Sequence, residues 1–207
     1  MNIYEHIDYT LLKATATYND IWNLCEEAVE HGCASVCIPS NFVDFVFNHF
    51  PTLKICTVVG FPLGNSTVNT KVAETMEAIE NGADEIDMVM NISEFKNRNY
   101  YYVKNEIESI AFAMRGHGTL KVIIETCYLT DEEIAIATKI VDESSADFVK
   151  TSTGFGSRGA SFEDVMIMKA NISNDTMIKA SGGIRTKEDM MKYLMLGCER
   201  IGASKLP

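Results

Sequence analysis

The chain has 207 residues, enough for one sizeable core, and it is read as a single domain spanning residues 1–207. Eighteen Lys and Arg against 29 Asp and Glu give a formal net charge of −11, which repels nucleic acid and anionic membrane, so a phosphorylated ligand has to be captured locally by a few donors. The opening MNIYEHIDYT has no signal-type apolar region and no later run reaches the roughly 18 apolar residues of a membrane span, so a soluble, cytoplasmic protein is expected.

Short runs rich in Val and Ile alternate with amphipathic stretches of helical length, the pattern of β-α units repeated around a parallel sheet. HIDYTLL (6–12) opens the series. TYNDIWNLCEEAVEHG (17–32) then puts Ile21, Leu24, Cys25, Ala28 and Val29 on one helical face and stops at His31-Gly32. CASVCIP (33–39) and KICTVVG (54–60) are the next strand segments. NTKVAETMEAIENG (69–82) repeats the helical design, with Val72, Met76 and Ile79 expected inside and Asn81-Gly82 closing. EIDMVMNI (85–92) and LKVIIET (120–126) follow. Thr130 opens T-D-E-E, where its hydroxyl can cap a helix whose positive end suits the acids behind it. DFVKTST (147–153), MIKASGG (177–183), a second T-x-x-D box at 186–189 and RIGAS (200–204) complete the chain. Eight strand segments, with one helix expected between neighbours after the first, predict an α/β fold: a single-domain (β/α)8 TIM barrel in preference to an open doubly wound sheet.

Two of these runs end in lysine, Lys150 in DFVKTSTGFG (147–156) and Lys179 in MIKASGGIRT (177–186). C-terminal strand ends of a barrel face the active-site mouth, so two ammonium groups would converge there and one would lose its proton readily. Lys150, behind apolar Phe148 and Val149, is the candidate amine nucleophile; the alternative is a strand-end lysine that snorkels to water or pairs with an acid. Lys179 either binds phosphate or supplies the second cation. Asp87 interrupts an apolar run and requires a cationic partner, Lys150 or Lys179, serving as a general acid/base through a bound water or as a structural ion pair. Asp8 is either a second inward acid or a local cap. Glu125 ends KVIIET, facing the mouth or partnering a lysine, and Cys37 is a further supporting candidate.

The six cysteines include no C-x-x-C pair and read as buried free thiols of a reducing compartment. His6, His31, His49 and His117 have no ligand-like spacing, so no metal is expected. Phosphate capture is expected where Gly182-Gly183 leads from a strand to the helix capped at Thr186, with Thr153-Gly154 and Gly202-Ala203-Ser204 nearby; turn geometry and close packing are the competing uses of these glycines. Neither G-x-G-x-x-G nor a Walker loop stands between a strand and a helix, so no nucleotide cofactor is expected.

With IDYTLLK, ASVCIP, CTVVGFPLG, GADEIDMVMNI, LKVIIETCYLT, DFVKTSTGF, IKASGGIRT and RIGAS in order, the chain resembles the deoxyribose-phosphate aldolases along nearly its whole length. The resemblance implies a cofactor-free class I aldolase on a (β/α)8 barrel that interconverts 2-deoxy-D-ribose 5-phosphate with D-glyceraldehyde 3-phosphate and acetaldehyde in deoxyribonucleotide catabolism. It puts the Schiff-base lysine on Lys150, the second active-site lysine on Lys179 and the proton-relay acid on Asp87. A homodimer or other homo-oligomer is expected, with a small phosphorylated sugar as its ligand. The chain departs from the family pattern in carrying Tyr9 where the family usually has His, and in ending Ser204-Lys205-Leu206-Pro207 where the family usually continues past a double serine. Either Lys205 adds charge to the phosphate site, or the short tail leaves the site more open and less selective for phosphate. Two rival readings are an aldolase acting on another phosphorylated carbonyl compound and a non-catalytic phosphosugar-binding protein.

Overall fold

The computed structural model describes residues 2–173 and 175–207. Eight parallel strands in chain order close into a barrel, with the last beside the first. They are β1 (Ile7–Thr10), β2 (Ser35–Ile38), β3 (Ile55–Val59), β4 (Glu85–Val89), β5 (Thr119–Ile123), β6 (Phe148–Lys150), β7 (Met177–Ser181) and β8 (Arg200–Ala203). Seven lie within the predicted runs, and β5 begins one residue before its own.

The helices form the outer ring: α1 (Tyr18–His31), α2 (Val43–His49), α3 (Val68–Glu80), α4 (Ile92–Lys96), α5 (Tyr100–Met114), α6 (Asp131–Asp142), α7 (Phe162–Lys169) and α8 (Lys187–Met195). Their ends follow local chemistry. The Thr17 hydroxyl accepts from the Asp20 amide while the Asp20 carboxylate accepts from the Thr17 amide at 2.9 Å, and Thr130 and Glu133 repeat this reciprocal cap on α6. Gly32, at φ 70°, ends α1 in the left-handed conformation that glycine adopts without steric cost.

Three expectations need correction. Between β4 and β5 stand two helices, α4 and α5, where one was expected. Val29 is 49% exposed at the edge of the α1 face. On α3, Met76 is 50% exposed and Val72 and Ile79 are only partly covered; the buried face consists of Lys71, Thr75 and Ala78.

The rotation of α3 has an electrostatic cause. The fully buried Lys71 Nζ donates at 2.7 Å to each of Glu106 Oε1 on α5, the Gly64 carbonyl and the Val89 carbonyl, while Glu106 Oε2 accepts from the Asn91 amide at 2.8 Å. All three ammonium protons are used, so the lysine points inward and the apolar methionine turns out. This pair ties the β3–α3 loop to the end of β4, both at the barrel mouth.

Aliphatic side chains fill the space between sheet and helices. No helix among the described residues is long and apolar enough to cross a membrane. All six cysteines are free; Cys25, Cys37, Cys56 and Cys198 are buried, and Cys33 and Cys127 half-buried.

Substituting Lys71→Met strands the buried Glu106 carboxylate and is expected to cost about 3–5 kcal/mol in urea denaturation. Adding Glu106→Leu should recover much of that loss, because it removes the orphaned charge. A double variant no more stable than the single one would refute this account of the α3 face.

Candidate active site

Residues opposite one another on adjacent strands share a face of the sheet. Lys150 is paired in register with Lys179, Lys179 with Arg200, Asp87 with Lys121, Cys37 with Cys56, and Cys56 with Glu85. All of these side chains point into the barrel. The interior therefore holds charge where such barrels usually stack layers of Val, Ile and Leu.

Asp87 is its centre. Its Oδ2 accepts from Lys150 Nζ at 2.6 Å and from Lys179 Nζ at 2.7 Å, and its Oδ1 accepts from Lys121 Nζ at 3.0 Å and from the Cys56 thiol at 3.2 Å. Below it, Asp8 contacts Lys179 and Arg200, with Lys121 at 3.7 Å. Glu85 closes the floor, reached by Lys121 at 2.5 Å and by Arg200 Nη2 at 2.8 Å. Four basic groups thus face three carboxylates.

The protonation states follow from these distances. Burial raises the Asp87 carboxyl, but Lys121, Lys150 and Lys179 outweigh it and hold the group well below the usual carboxylate range. Asp8 is likewise lowered against burial by Lys179, Lys121 and Arg200. Burial works against the charge on Lys179, yet Asp8 and Asp87 keep its ammonium above the ordinary lysine value, and Asp87, Cys56, Asp8 and Glu85 do the same for Lys121. Burial, with Cys37 and Asp87 beside it, pushes the Cys56 thiol up.

Access separates the lysines. Lys121, Lys179 and Asp87 are 0% exposed, whereas Lys150 is 3% exposed and sits at the base of a cavity of about 290 Å³. Thr153, Gly154, Ser181, Gly182, Gly183, Gly202 and Ser204 line that cavity together with Lys150, so the predicted loops converge. Gly182 and Gly183 have φ of 86° and 76°, and a Cβ on Gly183 would meet nothing within 4 Å, so this turn leaves its backbone open at the cavity wall. Gly202 has a packing reason too: a Cβ there would lie 2.8 Å from the Ser181 Cβ and 3.4 Å from the Lys179 Cε. Lys205 is exposed and lies outside this lining.

Asp8 resolves as the inward acid and Cys37 as an inward thiol on β2. Glu125 is a correction: its carboxylate accepts from the Thr153 amide at 3.1 Å and from the Thr153 hydroxyl, and it does not pair with a lysine. The chain turns left-handed at Glu125, φ 52°, which swings the side chain sideways onto the β6 loop and fixes Thr153 there.

Sequence reasoning missed Lys121, Glu85, Arg200 and Cys56 in the floor, and Lys13 and Arg185 on the cavity wall. The signal for Lys121 was present, since it is a charge inside the apolar run LKVIIE, as Asp87 is in EIDMV.

The profile of the DeoC/LacD family of aldolases matches residues 5–204. The chain is 51% identical to the deoxyribose-phosphate aldolase of Thermoanaerobacter sp. strain X514, covering 99% of this chain and 93% of that one. It is 52% identical to the deoxyribose-phosphate aldolase of Caldanaerobacter subterraneus subsp. tengcongensis, over 99% and 90%. Among solved structures, the tetrameric deoxyribose phosphate aldolase from Aeropyrum pernix superposes with a TM-score of 0.90 at 30% identity, over 98% of this chain and 86% of that one.

The cluster also shapes stability against pH. Asp8 and Asp87 have folded values below the ordinary 3.8, so their contribution is complete above that value and is lost as pH falls below it. Lys121 and Lys179 have folded values above 10.5, so theirs is complete below that value and is lost as pH rises past it. Urea midpoints should therefore be flat between about pH 5 and pH 10 as far as this cluster is concerned, and fall on the acid side. Asp8→Asn should make the acid limb shallower; an unchanged slope would show that Asp8 is not held ionised by its partners.

Proposed function

The chain belongs to the DeoC/LacD family of aldolases, and on that premise we propose that it is a Schiff-base enzyme that reversibly cleaves 2-deoxy-D-ribose 5-phosphate to D-glyceraldehyde 3-phosphate and acetaldehyde, in cytoplasmic deoxyribonucleotide breakdown. One observation carries this reading. Lys150 and Lys179 share a single oxygen of Asp87, and of the three lysines around that carboxylate Lys150 alone reaches the cavity.

Four basic groups against three carboxylates leave one positive charge uncompensated, and release of one proton from Lys150 removes it. The amine can still donate a hydrogen to Asp87 while its lone pair attacks C1 of the open-chain sugar. Loss of water from the adduct gives an iminium that draws electrons from the C2–C3 bond. A water held by Asp87 and Lys179 removes the C3 hydroxyl proton, the C2–C3 bond breaks, and glyceraldehyde 3-phosphate leaves. Protonation of the enamine at C2 and hydrolysis of the iminium release acetaldehyde and restore the amine. Lys179 remains charged throughout, as its two carboxylate partners require, and returns protons by way of Asp87 and water.

The phosphate is assigned to the Gly182-Gly183 turn, with Thr153, Gly154 and Ser204 opposite and Arg185 supplying charge. Lys205, exposed beside Ser204, adds positive potential on the approach. The enzyme works as a homo-oligomer, a dimer or larger, a reading supported by the tetrameric relative.

Incubation with 2-deoxyribose 5-phosphate and borohydride, followed by peptide mass spectrometry, should find the reduced adduct on Lys150 and none in Lys150→Met. Lys179→Met and Asp87→Asn should each lower kcat by about 10²–10⁴, the range for removing a positioned proton-transfer group. Folded protein that forms no adduct on any lysine would sink the Schiff-base mechanism.

A further inference from the structure

Cys37, Cys56 and Asp87 come from three successive strands, β2, β3 and β4. Their two sulfurs and one carboxylate oxygen all lie within 4.8 Å of one another, and all three residues are 0% exposed. We propose that these side chains form a binding site for one soft divalent cation, Zn²⁺ or Cd²⁺, and that an ion held there switches the enzyme off by taking Asp87 away from its lysines.

The donor set fits that chemistry. Thiolates select soft or borderline cations such as Zn²⁺ over Mg²⁺ or Ca²⁺. Around zinc, sulfur sits at about 2.3 Å and carboxylate oxygen at about 2.0–2.2 Å, so neighbouring ligand atoms of a tetrahedral site are roughly 3.3–3.8 Å apart. Side-chain adjustments on the order of 1 Å close the present cluster to that size. Strand geometry favours this closure, because Cys37 and Cys56 are register partners and project from the same face.

Charge is the main objection, since Lys121, Lys150 and Lys179 surround Asp87. The balance answers it. Binding releases the two thiol protons as the dication enters, so the net charge of the pit does not change. Lys121 Nζ, 3.5 Å from Cys56 Sγ, faces a thiolate once the ion is bound. Three protein ligands leave a fourth position for water or for the uncharged Lys150 amine, whose Nζ is 2.6 Å from Asp87 Oδ2. Either way the ion draws the carboxylate's charge toward Oδ1, the side Cys56 reaches, and weakens the hold of Oδ2 on Lys150 and Lys179 that the proposed catalysis requires. Ion binding stands without the Schiff-base reading, and only the loss of activity rests on it.

The test titrates the full-length, chelator-free protein with Cd²⁺ and follows the ultraviolet thiolate-to-cadmium charge-transfer band together with proton release. The expected result is one tight equivalent that releases two protons per ion. Cys37→Ser and Cys56→Ser should each weaken it by about 100-fold or more, beyond the 10–100-fold that loss of an outer-shell partner causes, while Cys33→Ser and Cys127→Ser leave it in place. Should the serine variants not fold, Cys37→Ala and Cys56→Ala, which suit the neighbouring Val58 and Leu12, should weaken the band in the same way. No band, or a band that survives substitution of both Cys37 and Cys56, overturns the site. In parallel, Cd²⁺ should abolish borohydride trapping on Lys150 and a chelator should restore it; a tight dithiolate band with undiminished trapping would keep the ion site and overturn the inhibition. If ion-free protein forms no adduct, the Schiff-base reading has failed and the binding arm is judged alone.

Discussion

Asp87 accepts hydrogen bonds from three lysines on three strands, and the rest of the structure is arranged so that this can hold. A carboxylate taken out of water costs several kcal/mol, and so does each ammonium, so none of these groups could stay charged in the barrel alone. Together they neutralise one another at 2.6–3.0 Å. That requires β4, β5, β6 and β7 to present residues 87, 121, 150 and 179 on the inner face within reach of one carboxylate, which a closed barrel with its register pinned all round supplies. The apolar jacket between sheet and helices contributes cohesion, and the charged interior contributes the chemistry.

Depth grades the cluster. Glu85, Asp8 and Arg200 make a floor in which every charge has a fixed partner, while Lys121 and Lys179 bridge the floor to Asp87. Lys150, at the top, has Asp87 as its sole carboxylate partner among the described residues and is the one with access to the cavity. In the proposed mechanism reactivity is thus assigned by position more than by residue type. The rim is set by devices of its own: Glu125 pins Thr153, Gly202 leaves room for the Lys179 stem, and the Lys71–Glu106 pair ties the β3–α3 loop to the end of β4.

Much of this was legible in the chain. The strands could be read from short Val/Ile runs, and Asp87, Lys150 and Lys179 from a charge standing where apolar residues were due. The same rule applies to Lys121, which stands inside its strand as Asp87 does, whereas Glu85 and Arg200 open their strands, where a charge reads equally well as a solvated end. The α3 face was misread because periodicity counts lysine as outward, and only the distant Glu106 reveals that Lys71 is neutralised inside. Five-residue α4 is too short to show a helical period. Glu125 escaped because its left-handed backbone breaks the alternation on which the reading of β5 depended.

The interior is best regarded as one shared pool of charge. Any single group in it is defined by the balance of the others, so a proton leaving Lys150 and a dication replacing two thiol protons are competing ways of settling the same account. The proposed mechanism uses the first, because Lys150 lines the cavity. The thiols of Cys37 and Cys56 cluster with Asp87, Cys56 donating to the oxygen opposite the one that holds Lys150, and there a thiophilic ion finds ligands. Whatever engages that second oxygen alters the first, because both belong to one carboxylate. The geometry that lets Asp87 organise three lysines therefore also exposes the reaction to control from the β2–β3 side of the barrel.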